Sequence, residues 1–338
     1  MRRLTSIVGM AAAVALLAAC GSGASKPSSA GSAPSGAAIR LGFSAWPGWF
    51  PWQVAEEKGV FAKHGVKVKL DYFDSYTDSL NALATGNLDA NSQTLNDTIS
   101  SVAGGAQQTI VLVNDNSTGN DQIIVGPGIN SVADLKGKKV GAEKGTVDHY
   151  LLLLGLQKAG LNPSDVDFQP LETGAAAAAF ASGRLDAVGA FAPFTTQALD
   201  RSGSKALFTS ADFPGAIPDH LVVTKDLVSK RPADVQKLVD AWFETLDWIK
   251  ANPADATSIM AKKAGVSTDD YAGYDKGTTI FSLQDNLAAF TSGTTSKNLD
   301  YEASQISRFL VDSKLIDKPP DLGSLFDPSF VKARAGTP

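Results

Sequence analysis

The chain has 338 residues, 43% of them hydrophobic and 19% charged, with a formal net charge of −5 at pH 7. That acidic balance speaks against nucleic acid or an anionic membrane face as partner, and the single cysteine, Cys20, leaves no pair for a disulfide and no cluster for a thiolate metal site. About 300 residues of ordinary globular composition are long for one core and comfortable for two domains.

Met1-Arg2-Arg3 followed by an apolar stretch too short to span a bilayer predicts a secretory signal over residues 1–19, not a permanent anchor. The tetrad Leu17-Ala18-Ala19-Cys20 resembles the bacterial lipobox, which implies cleavage before Cys20 and a diacylglycerol on its thiol. Cleavage removes Arg2 and Arg3 but no acid, taking the formal charge from −5 to about −7. Residues 21–38, GSGASKPSSAGSAPSGAA, hold no aromatic residue and almost no charge, so they predict a flexible tether.

From Ile39 onward strands and helices alternate. Ile39 to Phe43 predicts a strand, Pro51 to Gly59 a helix with proline at its start and glycine past its end, and Val66 to Phe73 an alternating strand. Thr77 to Ala84 reads as a helix stopped by Gly86, Leu88 to Ala90 as a short strand, Asp97 to Ala103 as a helix and Thr109 to Val113 as a strand. A second run fills residues 126–211. In it Ser131 and Asp134 have capping-box spacing, Lys139 to Ala142 is a strand, and Thr146 to Lys158 is a helix closed by Gly160. Further strands fit Val166 to Leu171, Leu185 to Ala190 and Ala206 to Thr209. This alternation predicts an α/β fold of mostly parallel sheets flanked by helices.

The two runs share a phrase, Leu83-Ala84-Thr85-Gly86-Asn87-Leu88-Asp89-Ala90 against Phe180-Ala181-Ser182-Gly183-Arg184-Leu185-Asp186-Ala187, offset by 97 residues. In each, a helix ends on a glycine able to take the left-handed turn and a buried strand follows. The expected organisation is therefore two similar lobes, residues 39–123 with 222–338 and residues 124–221. Past Asp219, Leu221-Val222-Val223 predicts a strand. In the helical tail Val235, Leu238, Val239, Trp242, Leu246 and Ile249 form one stripe behind Pro232, and Phe309 to Leu315 and Phe326 to Val331 read as terminal packing elements.

Enzyme signals are sparse. His64, His149 and His220 have no metal-ligand spacing, and no G-x-S-x-G, Walker A or G-x-G-x-x-G motif occurs. Neither a cofactor nor a metal is expected. Chemistry concentrates instead at the carboxyl ends of predicted strands, where open α/β sheets collect ligands. Ser44 to Trp52 holds three of five tryptophans, of which Trp46 is the better ligand platform, while Trp49 and Trp52 also suit the core. Asn91 to Asp97 and Asp115 to Asp121 supply amides, hydroxyls and acids. Helix starts at Ser75 to Thr77, Thr94 to Asp97 and Lys144 to Thr146 favour an anionic group, and Asp115 and Asp121 favour the opposite. A solute with both amine and acid character, or a neutral heterocycle, reconciles them.

The segment Trp49-Phe50-Pro51-Trp52-Gln53-Val54-Ala55-Glu56-Glu57-Lys58-Gly59-Val60-Phe61 resembles the W-x-P-x-x-x-A-x-x-K-G-x-F opening of solute-binding proteins of nitrate, taurine and aliphatic-sulfonate importers, a group that includes thiamine-pyrimidine-precursor binders. The likeness continues through Ala84 to Ala90, Val132 to Gly141, and Gly145-Thr146 with His149 to Leu152, covering most of residues 39–320. It implies a two-lobed type II periplasmic-binding-protein fold with two hinge crossings, near residues 121–126 and 218–223. It also implies delivery of a small solute to the permease and ATPase subunits of an ABC importer, from a lipid-anchored extracytoplasmic position. The expected contacts are a sandwich of the solute by Trp46 and Phe191, with Trp49, Ser75, Tyr76, Gln93, Thr94, Asp97 and Asp115 from one lobe and Lys144, Thr146, His149 and Glu172 from the other. Relatives often carry a carboxylate where this chain has Ala192, so that contact does not transfer, and the cysteine-rich motif of the pyrimidine-synthesising members is absent. The expected solute is of the nitrate, taurine or sulfonate class, with a pyrimidine or flavin-type heterocycle as the alternative and an enzyme on the same fold as the rival. With no spare apolar helix or sustained heptad, a monomer is expected.

Overall fold

The computed structural model describes residues 36–336; the expected signal, Cys20 and all but the last three residues of the tether lie outside them. In chain order the first sheet-forming run is β1 (Ile39–Ser44), α1 (Pro51–Glu57), α2 (Val60–Lys63), β2 (Val68–Phe73), α3 (Tyr76–Ala84), β3 (Ala90–Thr94), α4 (Leu95–Ala103) and β4 (Gln108–Ser117). The second is β5 (Asp121–Val125), β6 (Lys139–Ala142), α5 (Val147–Lys158), β7 (Asp167–Pro170), α6 (Thr173–Ala181), β8 (Ala187–Phe191), α7 (Phe194–Leu199) and β9 (Lys205–Thr209). The chain then returns through β10 (Pro218–Thr224) to α8 (Lys225–Lys230), α9 (Pro232–Ala251), α10 (Pro253–Ala264), α11 (Thr268–Gly273), β11 (Thr278–Ile280), α12 (Leu283–Ala289), α13 (Leu299–Asp312) and α14 (Ser329–Ala335). Among the described residues no helix is long and apolar enough to cross a membrane.

Two sheets form, in the orders β11-β4-β10-β3-β1-β2 and β7-β6-β8-β5-β9. They are mixed where mostly parallel sheets were expected. β1 pairs in parallel with β2 and β3, and β6 with β7 and β8. β10 runs antiparallel to β3 and β4, β11 to β4, and β5 to β8 and β9. The cause is the crossing of the chain. β5 and β10 each arrive from the other lobe, so they enter at the edge where the βα-type strands leave and must run backwards between them. The crossings fall at residues 118–120 and 210–217, upstream of the expected ones, because residues 121–125 and 218–224 are already strand.

Strand ends shift for a related reason. β3 runs over Ala90–Thr94, not Leu88 to Ala90, and β4 continues to Ser117, and every residue of both is buried. Some of the polar side chains there pair with one another. Asn91 Nδ2 donates to Gln93 Oε1 at 3.2 Å, and Gln93 Nε2 donates to Thr98 Oγ1 at 2.9 Å. The capping box at Ser131 and Asp134 is present, though it starts a single 3-10 turn, Val132–Leu135, in place of an α-helix.

The shared phrase is a structural repeat. Gly86 and Gly183 take φ of 76° and 78°, a left-handed turn that glycine adopts without strain. Just beyond, Asp89 Oδ2 accepts from the Arg40 amide at 2.9 Å and Asp186 Oδ2 accepts from the Lys139 amide at 2.9 Å. A Cβ on Gly42 would lie 2.3 Å from Leu88 Cδ1, and one on Gly141 2.5 Å from Leu185 Cδ1, so in each lobe a glycine admits the same leucine. The apolar stripe of α9 seals the first lobe from outside. Its Trp242 ring lies 4.5 Å from that of Trp52, whose Nε1 donates to Ser92 Oγ at 2.9 Å. Trp52 is thus core.

Candidate ligand-binding site

The loop after β1 turns back on itself, with the Trp49 amide donating to Trp46 O at 3.0 Å. It lies directly on the end of β4. A Cβ at Gly48 would sit 1.9 Å from Asp115 Oδ2, so only glycine lets the backbone rest on that carboxyl. Trp46 Nε1 donates to Asp115 Oδ1 at 2.9 Å and Tyr271 Oη donates to Pro47 O at 2.9 Å, which fixes ring and loop from two sides. At the start of α3, Tyr76 Oη accepts from the Thr94 amide at 2.9 Å. These groups meet Phe191 at the end of β8, Asp121 at the start of β5 and Asp219 at the start of β10. Together with Ala45 and Val147 they enclose a cavity of ≈ 10 Å³ between the sheets, room for about one water molecule.

Its walls are aromatic. Phe191 meets Trp46 at 6.4 Å and 81° and Tyr76 at 6.3 Å and 84°, while Trp49 and Tyr76 lie 5.4 Å apart. Trp46 and Phe191 therefore touch edge to face.

Its floor is acidic. Asp97, Asp115, Asp121, Glu143, Asp148 and Asp219 are all buried. Asp115 and Asp219 oppose each other across β4 and β10, where like charges repel. Burial pushes Asp115, Asp121 and Asp97 each up to about 7. It raises Asp219 well above the ordinary range, with help from the charges of Asp115 and Asp121, and does the same to Asp148 beside Asp121, Glu143 and Asp97. Opposed in low dielectric, the Asp115 and Asp219 carboxyls do not readily ionise together. Asp115 Oδ2, Asp121 Oδ2 and Asp148 Oδ1 receive no donor, and no amine, amide or hydroxyl donates to Asp219.

The lobes exchange carboxylates at their helix starts. Glu143, in the loop after β6, accepts through Oε1 from the Thr77 amide at 3.0 Å and from Thr77 Oγ1, in the first turn of α3. Its Oε2 accepts from Thr173 Oγ1 at 2.9 Å, at the start of α6. Conversely Asp97 of the first lobe accepts from Thr94 Oγ1 at 2.7 Å and faces the Val147 amide that opens α5, a contact that opposes its rise. The free N–H groups and partial positive charge of these helix ends are therefore met by the protein's own acids.

Five residues expected in the site, Trp46, Trp49, Tyr76, Thr94 and Phe191, line the cavity, and Asp97 and Asp115 stand directly behind it. The others are placed elsewhere. Ser75 caps α3 by accepting from the Asp78 amide at 3.2 Å, Gln93 belongs to the buried network of β3, and Thr146 Oγ1 donates to Glu143 O at 2.9 Å. His149 stacks on Phe168 at 4.4 Å and accepts from the Gly145 amide, and burial with Lys144 nearby lowers it to about 4. Lys144 and Glu172 are exposed. Asp219 and Glu143 were missed, and Asp121, expected to favour a positive group, was not placed among the ligand contacts. The available signal was an acid standing at the mouth of an otherwise apolar strand, as in Pro218-Asp219-His220-Leu221-Val222-Val223. Among the described residues no three His, Cys, Asp or Glu side chains converge to hold a metal ion.

A Brucella abortus protein named only as a binding protein is 31% identical to this chain over 242 residues, covering 68% of this chain and 74% of its own. The taurine-binding periplasmic protein of Escherichia coli is 29% identical over 262 residues, covering 74% and 81%. The crystal structure of the periplasmic aliphatic sulphonate binding protein of Escherichia coli aligns with a TM-score of 0.72 and 25% identity over 87% of this chain and 93% of its own. The architecture is accordingly the two-lobed periplasmic-binding-protein fold. The model of the NMT1-like family matches residues 32–264, from just before β1 to the end of α10, and the chain belongs to that family.

Proposed function

We propose that this protein captures a small polar solute between its lobes outside the cytoplasm and hands it to the permease of an ATP-driven importer. The observation that carries the reading is the cavity itself. It is built by both lobes at the point where the chain crosses between them, and it holds aromatic walls and buried carboxylate oxygens without donors. Hinged closure over a solute fits this arrangement, since Glu143 and Asp97 join the lobes only when they are shut. Phe191 completes the pocket from one side, Trp46 and Tyr76 from the other, and the permease recognises the shut form. Residues 1–19 act as the signal, Cys20 carries the lipid, residues 21–38 are the leash, and the protein works as a monomer.

The names of the relatives favour a taurine- or sulfonate-like solute, and the Trp-rich wall also suits a nitrogen heterocycle. An enzyme on this scaffold is disfavoured, because no serine, cysteine, histidine or lysine lines the cavity and the Thr94 hydroxyl is engaged by Asp97. The test is mass spectrometry of solute released from natively purified full chain, followed by small-angle scattering with that solute removed and restored. A contraction on restoring it supports the proposal. Identical scattering with and without it, or release of a chemically altered product, overturns it.

A further inference from the structure

We infer that the solute held between the lobes carries a cationic N–H-bearing group, an ammonium, amidinium or guanidinium, as a taurine-like solute does, and that a solute whose only charge is negative is not its ligand. The inference rests on the solute-binding reading and adds the sign of the charge.

The polar lining decides it. Asp121 and Asp219, only 2% and 1% exposed, face the cavity with oxygens that lack a donor, and no lysine or arginine lines it. Asp115 Oδ2 and Asp148 Oδ1 wait unpartnered behind them. An anion placed here would lose its hydration and gain no cationic neighbour, whereas a cation would supply donors to carboxyl oxygens that lack them. Aromatic faces add to the attraction, because the ring quadrupole of Trp46, Trp49 and Tyr76 favours positive charge.

The usual refuge of an anion is already taken. Helix starts attract anions, and those beside the cavity, of α3, α5 and α6, are met by Glu143 and Asp97. Lys144, the one cation near them in sequence, is exposed. A bare metal ion is disfavoured as well, since the acids, among the described residues, do not converge on one point.

Proton linkage gives the two signs of charge opposite signatures. The titratable groups facing the cavity are Asp97 on α4, Asp115 on β4, Asp121 on β5, Glu143 before α5, Asp148 on α5 and Asp219 on β10. Tyr76 and Tyr271 stay protonated through burial, and His220 is buried and neutral. With carboxyls held near 7, cation binding at neutral pH expels protons and strengthens as pH rises. Anion binding would take protons up and weaken.

The experiment is titration calorimetry of the full chain with three probes of matched shape, benzamidine, benzamide and benzenesulfonate, together with agmatine and ethanesulfonate, at pH 6 and pH 8. The expected result is that benzamidine or agmatine binds at least about ten-fold tighter than benzamide, with affinity rising about ten-fold per expelled proton between the two pH values. Asp219→Asn and Asp121→Asn should each weaken the cation about ten-fold or more while still melting cooperatively. Tighter binding of either sulfonate than of either cation, with affinity falling as pH rises, overturns the inference and leaves the solute-binding reading standing. No binding by any probe overturns the inference, and the scattering test then decides the solute-binding reading separately.

Discussion

The Glu143 carboxylate of the second lobe accepts a 3.0 Å hydrogen bond from the Thr77 amide in the first turn of α3, in the first lobe. One lobe thus terminates a helix of the other, and under the proposed hinged closure the bond forms only as the cleft shuts. Glu143→Gln turns one acceptor into a donor facing the donors of Thr77 or Thr173. Charge-assisted hydrogen bonds of this kind contribute roughly 1.5–3 kcal/mol each, so closure should weaken by about ten-fold or more while each lobe keeps its own stability. Scattering should show a more open ensemble with an unchanged melting temperature. An unchanged ensemble would remove Glu143 as a latch.

Gly48 and Asp115 are matched by contact, with room for a hydrogen but not for a methyl group. Gly48→Ala is expected to shift the Trp46 loop, costing about 1–3 kcal/mol of stability and lowering solute affinity. Asp115→Ala removes the obstructing atoms, so the double variant should recover most of the loss. A double-mutant cycle on melting temperature reads the coupling, and simple additivity would contradict it.

Trp46→Phe keeps a ring in the wall but leaves Asp115 Oδ1 without its donor. The expected cost is about 1–3 kcal/mol, larger at pH 8 than at pH 5, because a protonated Asp115 needs the indole less. Chemical denaturation at the two pH values measures it. Equal losses would show that the bond does not stabilise the ionised acid.

The shut form should also respond to pH by itself. Asp97, Asp115 and Asp121 sit near 7 against an ordinary 3.8, so the shut form binds more protons than an open or unfolded chain. Its advantage is full below about 3.8, and is lost as pH rises through about 7, at ~1 kcal/mol or more per carboxyl. Solute-free protein should melt lower at pH 8 than at pH 5, and Asp219→Asn should flatten that slope and raise the pH 8 value. A melting temperature that climbs over this range would contradict the burial of these acids.

Local patterns were legible because they depend on near neighbours. The α/β alternation, the left-handed turns at Gly86 and Gly183, the start of α5 after Thr146 and the stripe of α9 all follow from side-chain period and capping. β5 was not found, and the ends of β3 and β4 were cut short, because Asn91 to Thr94 and Asp115 to Ser117 look like loop until their buried partners are in place. Helix starts at Ser75 to Thr77 and Lys144 to Thr146 were expected to favour an anionic group of the ligand; in the structure the acids facing them are the protein's own Glu143 and Asp97.

By itself the sequence determined the class of fold, the doubled lobe and the aromatic loop that leads into the cleft, since each is written in residues within a turn or a strand of one another. Tertiary structure alone decided which way β5 and β10 run, which acids face which, and hence the sign of charge the cavity welcomes. Asp115 with Asp219 and Thr77 with Glu143 are far apart along the chain and meet only because it crosses twice between the lobes. No local periodicity encodes that meeting, and the low dielectric that gives it its force exists only once the lobes have closed around it.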